Sequence, residues 1–480
     1  MTKKQIELSA QDISAVEKPA NRARLVKAPE HFISQDFIAD VNAHGLDENR
    51  RGFLRKGFLS AIGGAAASLS APMVFGAGEG DPAILEKQEW QTTLGKNVAT
   101  MPYGVPSIYE ANLIRRESPG LTRVSAASVA FTPLQGLFGT ITPNGLHFER
   151  HHQGWYNLNP ETHRLMVNGM VKNARVFTMN DLMRLPSVSR THFIECGANT
   201  GLEWGNVAVP TVQYTHGMLS CCEFTGVPLK ILLEECGADL KKGKFLLVEG
   251  GDGSGMTRTI NLESCLDDTI VAWSMIESCL DDTIVAWSMN GEMLRPENGF
   301  PLRLVVPGVQ GVSWVKWLRR LEVGDMPWNT KDEAVHYIEL MPDGMHRQYA
   351  SIQECKSVIT TPSGGQQLLD KGFYNVSGMA WSGRGKIKRV DVSFDGGNNW
   401  RTARLETPIL TKSITRFNIE WVWDGSPAIL QSRAIDDTGY VQPSIKMLRD
   451  VRGNRSIYHN NAIQSWKLDS NGEVSNVQVG

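Results

Sequence analysis

The sequence predicts a mixed α+β domain followed by an all-β sandwich. The chain has 480 residues, too many for one ordinary core, so several domains are expected. Between residues 146 and 335, short apolar runs alternate with helical segments without a regular βαβ repeat, which favours an α+β domain. After residue 345, short alternating strands follow one another between turns, as in a seven-strand sandwich of immunoglobulin type.

The α+β region carries clear local signals. Residues 164–169 predict a strand that ends in an Asn-Gly turn. Residues 179–185 predict a short helix, with Thr178 as its N-cap and Pro186 after its end. The other predicted elements are a helix at 229–236 and strands at 192–195, 244–248 and 302–306.

The predicted sandwich shows short alternating strands with turns such as Asp395-Gly396-Gly397 between them. Its strands are predicted at 373–381, 387–394, 402–406, 415–423 and 428–436. The whole chain is then predicted to comprise a leader at 1–77, an N-terminal arm at 78–145, the α+β domain at 146–335 and the sandwich at 345–465.

The leader resembles a bacterial twin-arginine export signal. Arg50 and Arg51 precede Phe-Leu and basic residues, and a weakly apolar Gly- and Ala-rich stretch follows to about Phe75. That stretch is shorter than the roughly 20 residues that a spanning helix needs. We therefore expect export to the periplasm and no membrane span after leader removal; the alternative is a buried Ala-rich helix after a chance arginine pair.

Composition excludes several classes of function. The formal net charge of −2 leaves no basic surface for nucleic acid. None of the seven cysteines forms a C-x-x-C pair, which argues against a zinc ribbon or a thioredoxin-type centre. No C-x-x-C-H motif occurs either, so we expect no haem in this chain.

A perfect tandem duplication occupies residues 263–289. Residues 263–275 recur without change at 277–289, and each copy contains the apolar run Ile-Val-Ala-Trp. Only one copy can fill one place in a core sheet, so the other must lie elsewhere. A solenoid needs several diverged units, and we expect Cys265 and Cys279 to be incidental.

Three segments carry residue types suited to chemistry. Cys196 follows a predicted strand and precedes small residues, which would let a bulky group approach the backbone. Arg150 and His152 lie in a short charged cluster, and Arg303 is the lone charge in an apolar strand and needs an anionic partner. Taken singly, a structural buried cysteine and a surface charge cluster would explain the first two.

The motifs together resemble the sulfite oxidase family of molybdenum enzymes over roughly residues 140–465. The ones that carry the resemblance are Glu195-Cys196-Gly197-Ala198-Asn199, Gly201-Leu202-Glu203-Trp204, Asn290-Gly291-Glu292, the run 299–308, Val315-Lys316-Trp317-Leu318, Ala380-Trp381-Ser382-Gly383, the run 390–397 and the run 434–437. Within the family, the segments 216–220 and 458–462 resemble the SoxC sulfane dehydrogenase subunit. The resemblance implies a molybdopterin-binding catalytic domain at 146–335 and a dimerisation domain at 345–465.

The resemblance also implies roles for individual residues. Cys196 matches the thiolate that ligates molybdenum, a soft ligand suited to the metal. Arg150, Tyr337, Arg452 and Trp204 match residues that reach or wall the substrate pocket. The implied cofactor-binding residues are His152, Asp252, Asn298, Arg303, Trp314, Val315 and Lys316.

Two positions depart from the family pattern. Gly201 stands where sulfite oxidases have a further arginine, and Asn298 stands where the family has a histidine. Losing one cation would weaken the binding of a small dianion such as sulfite, and it could make room for a larger, protein-borne sulfur. Both effects agree with the SoxC resemblance.

The implied function is a periplasmic sulfane dehydrogenase of thiosulfate oxidation. Its cofactor would be molybdenum-molybdopterin, its substrate a sulfane sulfur on a carrier protein, and its electron acceptor a separate c-type cytochrome resembling SoxD. We expect a homodimer formed through the C-terminal domain. The alternatives are a periplasmic sulfite dehydrogenase that oxidises free sulfite, a reductase of the same fold, and a non-enzymatic secreted β-sandwich adhesin.

Overall fold

The protein is described here by a computed structural model. It describes residues 23–28, 87, 91–95, 106–118, 126–207, 209–253, 255–262, 282–348, 352–454 and 456–479. Contacts divide the chain into two units, residues 1–29 with 112–480, and residues 30–111. In the second unit, the described residues include one 3-10 turn, Ile108–Glu110, capped by the Ser107 side chain. The predicted leader signal at 50–75 lies outside the described residues.

The first part of the larger unit contains sixteen of the described strands and four of the described helices. The strands are β1 Arg24–Leu25, β2 Arg116–Glu117, β3 Ser128–Phe131, β4 Glu149–His151, β5 Arg164–Gly169, β6 Arg175–Thr178, β7 Val188–Glu195, β8 Leu219–Pro228, β9 Phe245–Gly250, β10 Thr257–Asn261, β11 Ile284–Met289, β12 Glu292–Met293, β13 Arg303–Val305, β14 Leu318–Gly324, β15 Ile338–Leu340 and β16 His346–Gln348. The helices are α1 Met179–Met183, α2 Val212–His216, α3 Leu229–Glu235 and α4 Lys331–Val335.

Two five-stranded sheets form the frame of this α+β domain. Sheet A has the order β10-β9-β14-β5-β6, and sheet B has the order β12-β11-β8-β7 with β13 paired to β11. Their apolar faces share one core, in which Leu165, Val248, Phe224 and Leu304 are fully buried. Burial of such side chains is the main force that holds the two sheets together.

The second part is a two-layer β-sandwich. Its elements are β17 Lys356–Thr361, β18 Gln367–Leu368, β19 Gly372–Trp381, β20 Ile387–Ser393, β21 Arg401–Thr402, β22 Arg404–Leu405, β23 Thr415–Trp423, β24 Ala428–Asp436, α5 Ile445–Arg452, β25 Ser465–Leu468 and β26 Val474–Val477. Sheet C has the order β17-β19-β23-β22 and sheet D the order β21-β20-β24-β25-β26. Trp381, Phe417 and Trp466 fill the core between them, as expected for aligned sheets of immunoglobulin type.

Most predicted elements are confirmed by the structure. Thr178 caps α1 in a capping box with Asp181, and the predicted strands 164–169, 415–423 and 428–436 are β5, β23 and β24. The predicted strand at 402–406 is divided into two short strands. β21 pairs with β20 in sheet D whereas β22 pairs with β23 in sheet C, because the chain crosses between layers there.

The second copy of the duplication occupies the core sheet. β11 pairs with β8 on one side and with β13 on the other, and residues 263–281 lie outside the described residues. The turn after β11 explains the choice of copy, because Asn290 and Gly291 both have positive φ, 52° and 78°. Such a turn favours Asn-Gly, and the first copy is followed by Ile276 instead.

The Asn290 side chain adds specific contacts to this turn. Its amide donates to the Thr142 carbonyl at 2.9 Å and to Asn144 Oδ1 at 2.7 Å, and its Oδ1 accepts from the Glu223 amide at 2.9 Å. Isoleucine could make none of these hydrogen bonds.

Among the helices that the structure describes, none has the length and apolarity needed to cross a membrane.

Deletion of residues 263–276 should leave a folded protein of equal or greater stability. The second copy and its Asn-Gly turn remain, and the connection from β10 to β11 shortens from 22 residues to eight. Closing the shorter loop costs about 1 kcal/mol less. Chemical denaturation of the two proteins measures the difference.

Deletion of residues 277–290 is the matched control. It yields a chain of the same length that differs from the first deletion only in carrying Ile276 in place of Asn290. We expect a loss of about 2 kcal/mol or more relative to the first deletion, because a β-branched residue must adopt positive φ and three side-chain hydrogen bonds, two of them part-buried, are lost. Equal stability of the two deletions would contradict the proposed selection by the turn.

Candidate active site

A deep cleft opens where the ends of sheets A and B meet β4. Its empty volume is about 790 Å³ including the open mouth. Ten of the twelve predicted site residues line it. They are Cys196, Arg150, His152, Asp252, Asn298, Arg303, Trp314, Val315, Lys316 and Tyr337.

Cys196 follows the last residue of β7 and lies on the cleft wall. Its amide donates to the Met218 carbonyl at 3.0 Å, and its carbonyl accepts from the Asn199 amide at 2.9 Å. Burial raises the pKa of the Cys196 thiol, whereas the charge of Arg150 lowers it. A side chain at Gly197 would collide with Gln310, since a Cβ there would lie 2.4 Å from Oε1. The small residue therefore lets the backbone pack closely beside the thiol.

Arg150 and its neighbours enter the cleft from β4. The Arg150 guanidinium donates to the Ser128 carbonyl at 3.4 Å and lies 3.4 Å from His152 Nδ1. Burial, followed by the charge of Arg150, lowers the pKa of His152 to about 4. His152 is therefore neutral near pH 7 and can accept a hydrogen bond from Arg150.

Arg303 brings a buried positive charge to the cleft from β13. Its residue is 3% exposed, and its guanidinium donates to the main-chain carbonyls of Asn298 at 3.1 Å and Trp314 at 3.2 Å. Burial lowers its pKa to about 10. Among the residues that the structure describes, no carboxylate lies within ion-pair distance of it, and its Nε has no hydrogen-bond partner.

Lys316 adds a second cation beside Arg303. Its ammonium donates to the carbonyls of Glu297 at 3.0 Å and Arg150 at 3.3 Å, and to His151 Nδ1 at 3.2 Å. Burial, with the charge of Arg303 as the second cause, lowers the pKa of Lys316 to about 7. The two cations thus disfavour each other's charge unless an anion lies nearby.

Two acceptors in the cleft lack a donor. His147 Nδ1 lies 2.5 Å from the Phe148 carbonyl and must carry the hydrogen, which leaves the buried Nε2 as an acceptor without a partner. Burial and then the charge of Arg303 lower the pKa of His147 to about 3. Asn298 Oδ1 is also buried without a partner. A ligand with N–H donors would satisfy both.

The remaining predicted cofactor residues form the walls. Asp252 follows β9 and accepts from the Met256 amide at 3.3 Å. Trp314 is 1% exposed, and its indole donates to the Val309 carbonyl at 2.9 Å. Val315 is buried next to it. These two residues shape the cleft through packing and through the main chain.

Tyr337 lines the cleft near Cys196 and carries a positive φ of 53°. Its ring stacks on the Tyr458 ring, with the two centroids 4.9 Å apart. The guanidinium carbon of Arg258 lies 5.0 Å from the centroid of the Tyr337 ring. Burial raises the pKa of Tyr337, so the hydroxyl keeps its proton. Tyr337 can therefore donate a hydrogen bond to an oxygen in the cleft.

The structure does not bring Trp204 and Arg452 into the cleft lining. Trp204 is 2% exposed and packs with Ile445 and Leu448 of α5, and its indole donates to the Tyr458 carbonyl at 3.1 Å. Arg452 ends α5, and its guanidinium lies 3.6 Å from Glu354. That carboxylate also accepts from His459 at 2.6 Å.

Gly201 is required by close packing. A Cβ at this position would lie 2.3 Å from the Ile457 carbonyl oxygen. The space beside Gly201 is therefore filled by the backbone of the C-terminal domain. A longer side chain at 201 would need this backbone to move.

Sequence reasoning missed several cleft residues. They include His147, which lies outside the charged cluster around Arg150 and carries no signal of its own, and His151, which lies within that cluster between Arg150 and His152. His151 Nε2 lies 3.1 Å from Glu149, which turns Nδ1 toward Lys316. An unpaired buried acceptor such as His147 Nε2 is visible only in three dimensions.

The arrangement suits a large anionic ligand with its own hydrogen-bond donors. One thiol, two buried cations and two unpaired acceptors face the same space. Among the residues that the structure describes, no group of three or more His, Cys, Asp or Glu side chains could hold a metal ion.

Two family models match the chain. The oxidoreductase molybdopterin binding domain matches residues 152–280 and 275–331. The Mo-co oxidoreductase dimerisation domain matches residues 348–466. The first match is interrupted within the duplication, as expected when one segment of the family pattern occurs twice.

Relatives are found among curated proteins. The NADPH nitrate reductase of Phytophthora infestans is 30% identical over 329 residues, which is 61% of this chain and 34% of that protein. The mitochondrial sulfite oxidase of Mus musculus is 30% identical over 343 residues, 66% of this chain and 60% of that protein. The chain thus spans between about a third and three fifths of these two relatives.

A solved structure is similar to this chain over its whole length. The crystal structure of the sulfane dehydrogenase SoxCD from Paracoccus pantotrophus matches at 45% identity with a TM-score of 0.78. The match covers 84% of this chain and 100% of that one. The chain therefore belongs to the sulfite oxidase family of molybdopterin-binding oxidoreductases, and within that family it is similar to the sulfane dehydrogenase SoxCD.

Proposed function

We propose that this protein is a molybdenum-dependent sulfane dehydrogenase that oxidises a carrier-bound sulfane sulfur. The proposal rests mainly on one observation: Cys196 and the buried guanidinium of Arg303, which has no carboxylate partner among the described residues, line the same cleft. The sequence similarity to a sulfane dehydrogenase at 45% identity supports the choice of substrate class.

The residues of the cleft fit a molybdopterin. Its phosphate needs cations; Arg303 is buried, Lys316 is part-buried, and neither forms an ion pair with a described carboxylate. Its pterin ring carries N–H donors, and His147 Nε2 and Asn298 Oδ1 are buried acceptors without a partner. Cys196 would give the metal one thiolate ligand.

The bound cofactor would supply two-electron oxidation of sulfur, with oxygen drawn from water. The chain's own groups would hold and orient the substrate. Arg150 and the protonated hydroxyl of Tyr337 would donate hydrogen bonds to oxygens on the substrate as negative charge grows there. Such preorganised donors contribute about 3 kcal/mol each to transition-state stabilisation.

A protein-borne substrate is supported by the surface next to Gly201, five residues after Cys196 in the chain. Gly201 lacks the cation that would favour a small dianion, and Leu202 and Ile457 beside it are 52% and 63% exposed. Exposed apolar side chains that lie together are typical of protein contacts. The alternative function, oxidation of free sulfite, is favoured by Arg150 and by the similarity to sulfite oxidases.

The cellular setting is part of the proposal. The twin-arginine motif at Arg50 and Arg51 supports export to the periplasm. Electrons would pass to a separate c-type cytochrome resembling SoxD, since the chain carries no C-x-x-C-H motif. The C-terminal dimerisation domain supports a homodimer, and the pathway served would be thiosulfate oxidation.

Replacement of Cys196 by serine tests the metal site. We expect Cys196→Ser to keep its fold and its pterin and to lose at least about 99% of the activity, because the thiolate ligand is gone. Cys221→Ser is the control, since its sulfur lies 3.3 Å from Ser413 Oγ in a pocket that tolerates a hydroxyl. Elemental analysis, pterin fluorescence and turnover provide the readouts. Absence of molybdenum from the wild type would end the enzyme proposal.

Lys316 should make the stability of cofactor-free protein depend on pH. Its pKa falls from 10.5 in the unfolded chain to about 7 in the fold, so burying the charge costs free energy below pH 7. That cost disappears as the pH rises from 7 to 10.5. Relative to Lys316→Met, the wild type should gain about 2 kcal/mol over this range, less than the full shift would give because the side chain is only part buried.

Denaturation of both proteins between pH 6 and pH 10 measures this difference. Lys244→Met is a suitable control, because Lys244 directly precedes β9 and does not line the cleft. A stability difference that stays constant with pH would contradict the assignment of Lys316 as a buried cation.

Steady-state assays distinguish the two substrates. We expect kcat/KM for a carrier protein bearing a cysteine-linked sulfane to exceed that for free sulfite by about 100-fold or more, as a site with mismatched polar contacts rejects the smaller analogue. A c-type cytochrome serves as the acceptor in both assays. A higher kcat/KM for sulfite would favour the sulfite dehydrogenase alternative.

A further inference from the structure

A second set of contacts reaches the residues around Cys196 from the C-terminal domain. The Cys196 segment, residues 195–200, receives hydrogen bonds from the C-terminal domain. Glu195 accepts three of them: from Gln353 Nε2 to its carbonyl at 3.3 Å, from Lys356 Nζ to Oε1 at 3.0 Å and from Trp381 Nε1 to Oε2 at 2.8 Å. Thr200 accepts two, from Lys356 Nζ to Oγ1 at 2.7 Å and from Asn460 Nδ2 to its carbonyl at 3.3 Å. The Gly197 carbonyl accepts from the His459 amide at 2.8 Å.

The centre of this network is a buried ion pair. Glu195 and Lys356 are each 2% exposed, and Lys356 is the first residue of β17. Glu195 also accepts from Asn199 Nδ2 at 2.9 Å, so both of its oxygens are satisfied. Lys356 therefore bonds to the residue before Cys196 and to Thr200 four residues after it.

Stability alone is a weak reason for such a pair. Removing two charges from water costs several kcal/mol per ion, and well-packed apolar residues are often as stable. A buried pair does, however, fix one geometry, because its partners cannot be exchanged without leaving a charge unpaired. Here the fixed geometry is that of the Cys196 segment.

Contacts from within the α+β domain fix the segment less completely. The Cys196 amide donates to the Met218 carbonyl, and Asn199 Oδ1 accepts from the Met218 amide at 3.1 Å. Both contacts involve Met218, the residue before β8. Groups behind a metal ligand commonly set its orientation, and their loss weakens metal binding.

We propose that Lys356 and Trp381 are positioning residues that hold the Cys196 thiol in its place through Glu195. The inference rests on the proposed function in so far as Cys196 is a metal ligand. It gives the C-terminal domain a part in the site besides dimerisation.

Hydrogen exchange of the full-length protein as purified tests this inference. Trp381→Phe removes the indole donor and keeps a ring, whereas Lys356→Met removes the ammonium. For Lys356→Met we expect the amides of Asn199 and Gly201 to exchange about tenfold faster or more, as loss of a charged hydrogen bond implies. Trp381→Phe should show a smaller increase at the same amides.

Ser357→Ala is the matched control. Ser357 neighbours Lys356 on β17 and is fully buried, but its hydroxyl contacts Ser432 and Gln442 instead of the Cys196 segment. It should leave exchange of the segment within about twofold of the wild type. Equal acceleration at all amides would indicate a merely structural role and would overturn the proposal, as would wild-type exchange of the segment in both test variants. If Lys356→Met does not fold, Trp381→Phe decides alone.

Molybdenum content of the same preparations separates the two proposals. If the wild type lacks molybdenum, the proposed function fails while the exchange data still test the positioning contacts. If the wild type holds molybdenum, retention after dialysis should fall in Lys356→Met and stay unchanged in Ser357→Ala. Molybdenum in the wild type with no local change in exchange would refute the positioning role only.

Discussion

The constraint on which this site depends is buried positive charge without a matching acid. Arg303 and Lys316 lie together at the base of the cleft, and none of the described carboxylates forms an ion pair with either of them. Burying charges in this way destabilises a fold unless a ligand supplies the opposite charge. The charge of the cleft thus favours the binding of an anionic ligand.

The anionic ligand would also explain how distant parts of the chain are combined. β4 supplies Arg150, β13 supplies Arg303, and the segment before β14 supplies Lys316. These three elements belong to different sheets, so no single one could form the site. Cys196 follows the end of β7, and Lys356 of the C-terminal domain donates a hydrogen bond to Glu195, the last residue of that strand.

The sequence was sufficient for the features that depend on local patterns. Alternation predicted β5, β23 and β24, and the cap at Thr178 predicted α1, because periodicity and capping act within a few residues. The resemblance identified ten residues that the cleft brings together. It did not reveal that Trp204 packs against α5, since its partners there, Ile445 and Leu448, are more than 200 positions away in the chain.

Features that depend on distant partners could not be predicted. Glu195 and Lys356 are 161 positions apart, and neither shows in the sequence that it will be buried. The duplication shows the same dependence on distant partners. Its two copies carry identical local signals, so local sequence cannot predict which copy forms β11. Only the neighbouring Asn290, through its contacts with Thr142 and Glu223, distinguishes the copy that enters the sheet.

The residues that would hold the cofactor would be alike in enzymes with different substrates, because the family shares that cofactor. Substrate selection would therefore rest on residues outside this set. Tyr337, which lines the cleft, stacks on Tyr458 of the C-terminal domain, and Gly201 packs against the Ile457 carbonyl. Both contacts lie where the two domains meet. Because the same junction carries the contacts of Lys356 to the Cys196 segment, a change in domain packing would alter substrate access and thiol position together.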